Sequence, residues 1–150
     1  KETDRVGTEL KPDRIYSLFQ EEYIDISAPY RLLRHSFSES TDDKGDSHVV
    51  FTGTLAHKQT VFDVAGEGNG PIDAFFNAIH GQRMDRFTFA DYKEHAIRSG
   101  SDSMAVAYIQ LRDQAGNDHF GVGISHNINL APLRGILSAM NRAKKREAES

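Results

Sequence analysis

The sequence predicts an α+β fold built from two βββα units related by pseudo-two-fold symmetry, with a linker helix ahead of them. Three observations predict it. Segments of alternating apolar residues, separated by turns rich in Asp and Gly, come in threes, and do so twice. Each trio leads into an apolar stretch at helical spacing: Ile72, Phe75, Phe76 and Ile79 in the first unit, Leu133, Ile136, Leu137 and Met140 in the second. The ends of the units also echo each other, Phe62-Asp63-Val64 against Phe120-Gly121-Val122.

Taken in order, Lys1 to Lys11 is polar, and Pro12-Asp13 opens a helix whose apolar stripe is Ile15, Leu18, Phe19 and Tyr23. So short a helix cannot bury that stripe alone. Residues 1–28 therefore read as linker and helix of a preceding subdomain, and 29–150 as the main domain, with repeats at about 29–81 and 85–146. Pro29 to Ser38 reads as a strand, the segment from Thr41 to Asp46 as a turn, and Val49 to His57 as a second strand. His57-Lys58 connects tightly to a third strand, Val61 to Ala65. Gly66, Gly68 and Gly70 then read as a turn, with the helix Pro71 to His80 closing at Gly81. Pro71 suits a first helical turn, where a missing N–H is harmless. In the second unit Phe87 to Arg98 alternates as a strand with an irregularity near Asp91. Met104 to Arg112 follows, with Ala105, Ala107, Ile109 and Leu111 on one face and Val106 and Tyr108 on the other. Asp113 to Asn117 is a hairpin loop, His119 to Ser125 a strand, and Leu130 to about Arg146 a helix. Open sheet edges in a duplicated unit invite pairing into a homodimer.

With 150 residues the chain is of single-domain size, and its first residue, Lys1, reads as a cut from a longer protein. A net charge of −4 with interspersed signs argues against nucleic acid as a partner. Lys144-Lys145-Arg146 reads as a solvated helix end that complements the dipole. With no cysteine, disulfides and thiolate metal sites are excluded. No apolar run has membrane-spanning length and no signal peptide opens the chain, so a cytoplasmic location without membrane contact is expected. The seven histidines form no closely spaced pair of the kind that holds zinc on one element, so no metal or other cofactor is expected in this domain. No serine sits in a strained nucleophile elbow. Asp63 and Asp73 could pair as catalytic carboxylates, but read equally as a loop acid and a first-turn helix acid.

The stretch from Val61 to Ile79 carries the strongest chemical signal. Three alternate glycines before a helix let a ligand or a backbone come close, and a helix N-terminus offers free N–H donors to a carboxylate or phosphate. The glycines resemble half of a dinucleotide fingerprint, yet the unit is βββα rather than βαβ, and the third glycine and the downstream acid are missing. A free amino acid fits better. Its carboxylate would take N–H donors at the helix start, its ammonium would take backbone carbonyls, and an aliphatic side chain would sit among Ile72, Phe89, Ala96, Ala105 and Ile128. Small residues leave room for it: the glycines, Ala96, Ser103 and Ala105. The alternative is that these are packing positions of the sheet.

The segment Gly68-Asn69-Gly70-Pro71-Ile72-Asp73-Ala74 resembles the glycine motif in the C-terminal regulatory domain of 2-isopropylmalate synthase, the first committed enzyme of leucine biosynthesis. Asp91-Tyr92-Lys93-Glu94-His95-Ala96, Ala105-Val106-Ala107-Tyr108, Gly121-Val122-Gly123-Ile124 and the run from Leu133 to Arg142 resemble further segments of that family in order. Leu18 to Tyr23 resembles its linker helix. The resemblance implies two βββα units, a homodimer, and L-leucine bound near the dimer interface as a feedback inhibitor. It implies a pocket of Gly68, Gly70, Ile72, Asp73, Phe89, Tyr92, Ala96, Ser103, Ala105, His126 and Ile128. His126 stands where some relatives have proline, and Phe89 is larger than the aliphatic residue found there. Citramalate synthase carries a similar domain that senses isoleucine, and a dimerisation module without a ligand is a further possibility. The catalytic TIM barrel of that family, with its divalent metal, has no counterpart in this sequence. This chain alone is therefore not expected to carry out the acyltransferase reaction, the condensation of acetyl-CoA with 2-oxoisovalerate.

Overall fold

Period-two alternation becomes three antiparallel strands in each unit, and the 3.6-residue stripe becomes the helix that covers them. The computed structural model describes residues 29–81, 87–99 and 102–149. The first unit contains β1 (Tyr30–Thr41), β2 (Ser47–His57), β3 (Thr60–Gly68) and α1 (Pro71–Gly81); the second contains β4 (Thr88–Ser99), β5 (Asp102–Arg112), β6 (Asp118–Ser125) and α2 (Leu130–Glu149). The strands form two separate sheets, ordered β1-β2-β3 and β4-β5-β6. The expected two βββα units are thus present. The linker helix expected over Pro12 to Tyr23 lies outside the described residues.

The hairpins follow from local chemistry. At the β1–β2 turn the Asp42 carboxylate accepts the N–H groups of Lys44 (2.9 Å) and Asp46 (3.0 Å), and Gly45 takes a φ of 87°. The β5–β6 turn repeats the device: Asp113 accepts from Ala115 (3.0 Å) and Asn117 (2.8 Å), and Gly116 takes a φ of 91°. A short acid that bonds its own loop, followed by a glycine at left-handed φ, closes both turns.

The duplication is visible in the sheet registers. β1 bulges between Leu32 and Arg34 against β2, and β4 bulges between Phe89 and Asp91 against β5. Leu33 and Ala90 are therefore counterparts, and the irregularity expected near Asp91 is this bulge. Downstream, Gly66 pairs with Phe51 and lies against Ala74 and Ala78, while Gly123 pairs with Ala107 and lies against Ala131 and Gly135. Gly66 and Gly123 are thus counterparts as well. This corrects the sequence echo by one residue. Val64 matches Gly121, not Val122, and a one-residue slip in a strand exchanges its two faces.

A second correction concerns the glycines. Gly66 and Gly68 do not form a turn; they lie within β3, paired with Phe51 and Val49. A Cβ at Gly66 would collide with the backbone of Ala74 and Ala78 in α1, and one at Gly123 with the backbone of Ala131 and Gly135 in α2. The missing side chains let each helix settle onto its third strand, backbone against backbone.

α1 packs on β3 and β2, α2 on β6 and β5, and the helices touch each other. One apolar cluster runs through both units, joining Phe51, Leu55, Phe75 and Ile79 to Ile109, Leu111, Leu133, Ile136 and Met140. A polar joint crosses between units. Buried Asn141 of α2 accepts the Tyr30 N–H (3.1 Å) and donates to the Tyr30 carbonyl (3.0 Å), so a side-chain amide takes the place of a neighbouring strand.

Two outcomes follow for urea denaturation. Gly66→Ala and Gly123→Ala each lower stability by about 1–3 kcal/mol, since the colliding atoms are backbone, whereas Gly70→Ser, with nothing within 4 Å of its new Cβ, is near neutral. Asn141→Ala, which strands a buried donor and a buried acceptor of Tyr30, lowers stability by about 2–4 kcal/mol; a loss below about 0.5 kcal/mol contradicts its role as the joint.

Candidate functional site

The end of β3 and the start of α1 form one tied corner. The Gly70 carbonyl accepts the Ala74 N–H at 3.0 Å, which makes Gly70 the N-cap and Pro71 the first helical residue. Asp73 reaches back from the first turn to accept the Asn69 N–H at 3.1 Å, and Asn77 donates to the Glu67 carbonyl at 2.8 Å. The absent Cβ of Gly68 leaves the space that the Asp73 carboxylate and the Ala74 N–H fill. Gly68 therefore serves Asp73 rather than facing open space, while Gly70 does face open space.

Beside this corner lies a cavity of about 390 Å³, lined by Gly70, Pro71, Ile72, Asp73, Phe76 and Phe89. Its size lies within the range of small-molecule pockets, and its walls are apolar apart from Asp73. Phe76 and Phe89 meet edge to face at 5.8 Å, and Phe89 lies 6.4 Å from the Tyr92 ring. The β4 bulge permits this: it places Phe89 and Tyr92, three apart in sequence, on one face, opposite Leu111 and Ile109.

A second group gathers at the far end of the second sheet. Ala96 pairs with Ala105, and Ala105 with Ser125. His126 Nδ1 lies 3.0 Å from the Ser103 carbonyl. A carbonyl only accepts, so Nδ1 carries the proton and Nε2 of the neutral ring is an acceptor. Ile128 is 64% exposed. It follows Asn127, whose side chain accepts the N–H groups of Asn129 (2.8 Å) and Leu130 (3.3 Å) ahead of α2.

Tyr92 and Glu94 lie between the two groups. The Tyr92 ring packs against the cluster of Ala105, Ala107 and Ala131, and its O–H donates to Glu94 Oε1 in a short contact. Burial, then the hydrogen bond to Glu94 and that residue's charge, push the Tyr92 phenol up to about 12.

The structure thus brings Gly70, Ile72, Asp73 and Phe89 together, and separately Ala96, Ser103, Ala105 and His126. Phe89 and Ala96 are about 20 Å apart along β4 at ~3.3 Å per residue, farther than one leucine can reach. Pro71, Phe76 and Glu94 were not among the expected site residues. Phe76 was legible as the neighbour of Ile72 one turn on. Glu94 was legible as an acid at an inward-facing position between Tyr92 and Ala96.

By strand register the counterpart of this cavity in the other unit involves Leu32 and Leu130, matching Phe89 and Asp73. A cavity of about 450 Å³ does lie there, bordered also by His35, Arg134 and Leu137. Arg134 donates to the Ile124 carbonyl at 2.8 Å, and burial together with Arg134 holds the His35 imidazole below its ordinary value. The two cavities share a frame but not a charge: one carries Asp73, the other Arg134.

Comparison with known proteins decides the family. Residues 9–144 match the model of the LeuA allosteric (dimerisation) domain. The chain belongs to the LeuA allosteric (dimerisation) domain family. It is similar to 2-isopropylmalate synthases of Clostridium acetobutylicum (40% identical over 147 residues, 96% of this chain and 26% of the relative), Azoarcus sp. (39% over 147 residues, 97% and 24%) and Pseudomonas entomophila (37% over 142 residues, 95% and 24%). The chain therefore spans about a quarter of the length of these relatives. Among the described residues, no helix of this LeuA domain is long and apolar enough to cross a membrane.

The tied corner has a measurable consequence. Asp73→Ala frees the Asn69 N–H and removes a favourable first-turn charge, and lowers stability by about 0.5–2 kcal/mol in urea denaturation. Asp73→Asn, which keeps an acceptor oxygen, loses less; equal losses contradict the hydrogen bond as the source.

Proposed function

We propose that this LeuA domain senses L-leucine for a 2-isopropylmalate synthase and takes part in its homodimer, and that the acyltransferase chemistry, with its divalent metal, belongs to a catalytic barrel elsewhere in the parent protein. The observation that carries this reading is the apolar cavity set against the N-terminus of α1. An aliphatic side chain suits its Ile72, Phe76 and Phe89 walls. A carboxylate suits the first-turn N–H groups of Ile72 and Asp73, which have no acceptor within the helix. The family description supports both an allosteric and a dimerising role.

In this reading the two groups of site residues act on one ligand across a dimer. The glycine corner of one protomer supplies the helix start and the aromatic wall. The Tyr92–Ala96 face of the other, with Ser103, Ala105 and His126, supplies the remainder. Leucine then favours one arrangement of the paired domains, and a coupling of about 1–3 kcal/mol to the barrel is enough for feedback inhibition.

Gly70→Asp tests the reading. Nothing lies within 4 Å of an added Cβ at Gly70, and Asp is a favoured N-cap, so the variant folds. Its carboxylate repels that of leucine, and calorimetry shows leucine binding lost. A folded variant that binds leucine as the wild type does contradicts the site, and a wild type that responds to isoleucine but not to leucine reassigns the ligand.

A further inference from the structure

The second sheet carries a carboxylate that its fold does not use. Glu94 is half-buried on the inward face of β4, between Tyr92 and Ala96. Its Oε1 accepts the Tyr92 O–H, while Oε2 is buried and has no hydrogen-bond partner, alone in this among the described side chains. A buried acceptor without a donor is destabilising, the more so when it bears charge. Such a group is kept for a reason other than stability.

The duplication shows that the fold itself does not ask for an acid there. Register and bulge make Phe37 the counterpart of Glu94: Phe37 pairs with Phe51 as Glu94 pairs with Ala107. In the first unit Phe37 meets Phe51 at 5.3 Å, and Phe51 meets Phe75 at 5.1 Å. In the second unit Glu94, Ala107 and Pro132 hold these three positions. Three aromatic rings are thus replaced by an acid, a methyl group and a small ring. Along the same ladder Val49 becomes Ala105 and Glu39 becomes Ala96. The second unit has given up packing volume around one carboxylate.

We propose that Glu94 is the ammonium-recognition residue of the amino-acid site; this rests on the leucine-sensing reading above. Tyr92 orients the carboxyl by donating to Oε1, leaving Oε2 to accept a charge-assisted hydrogen bond from the ligand's ammonium. On the same face of β4, Ala96 and its cross-strand partner Ala105 add only methyl groups beside it. At Asp73, by contrast, Oδ2 is lodged against Gly68 and bonded to the Asn69 N–H, and the residue belongs to the other group of site residues. The ligand class is accordingly an aliphatic α-amino acid and not the matching carboxylic or 2-oxo acid. The sensor thereby distinguishes the amino-acid end product from the acids that precede it.

The test is calorimetric titration of the wild-type chain and of Glu94→Gln with leucine, isoleucine, valine and 4-methylpentanoate, the last being leucine without its amino group. The wild type binds leucine and rejects 4-methylpentanoate. Glu94→Gln keeps its circular dichroism spectrum and a urea midpoint at or above that of the wild type, yet binds leucine roughly tenfold or more weakly, the scale of one charge-assisted hydrogen bond. Equal leucine affinity in wild type and Glu94→Gln overturns the role of Glu94 and leaves the sensing reading in place. Equal affinity of the wild type for leucine and 4-methylpentanoate also overturns it, without recourse to any variant. A wild type silent to all three amino acids removes the sensing reading and this inference together.

Discussion

The close approach of each helix to the third strand of its own sheet is the constraint on which the rest of the structure depends. Gly66 in one unit and Gly123 in the other hold that contact, with helix backbone occupying the place of a side chain. The contact fixes how far each helix lies above its sheet. It also fixes where the helix begins, and so where Gly70, Ile72 and Asp73 stand relative to Phe89. The glycines of the third strand matter less as a surface offered to a ligand than as the bearing that positions the helix start.

On that shared frame the two units have diverged in filling. The first packs Phe37, Phe51 and Phe75 together and contributes most of the aromatic core. The second places Glu94, Ala107 and Pro132 at the same positions and leaves Tyr92 to lie over alanines. Both units feed the core, the first with aromatic rings and the second with the aliphatic side chains of β5 and α2. Asn141 holds them together by bonding to both backbone groups of Tyr30. α2 of the second unit is thereby tied to the first strand of the other.

Much of this was legible in the residues. Alternation gave the strands, helical spacing gave the helices, and the turn acids with their glycines gave the hairpins. The β4 irregularity showed in the broken alternation around Asp91. What was not legible depends on tertiary contact. Gly66 and Gly68 read as a turn because glycine is weak in strands, yet cross-strand pairing with Phe51 and Val49 carries β3 through them. The echo between units was misplaced by one residue because Gly121 stands where the first unit has Val64, which hides the match. The members of the candidate site were named from motif positions, but their division into two groups reflects distance along β4, which spacing in sequence does not reveal. Glu94 was legible as an inward-facing acid, but only the structure shows that one of its oxygens has no partner.

If the two groups of site residues meet only across a pair of protomers, leucine binding and self-association are one linked equilibrium. The most direct measurement is sedimentation equilibrium of the chain over a range of protein concentrations, with and without saturating leucine. A site shared by two protomers predicts that leucine shifts the population toward dimer, and that its apparent affinity strengthens as protein concentration rises. Leucine bound with the same affinity by monomer and dimer, with no shift in association, would contradict the account.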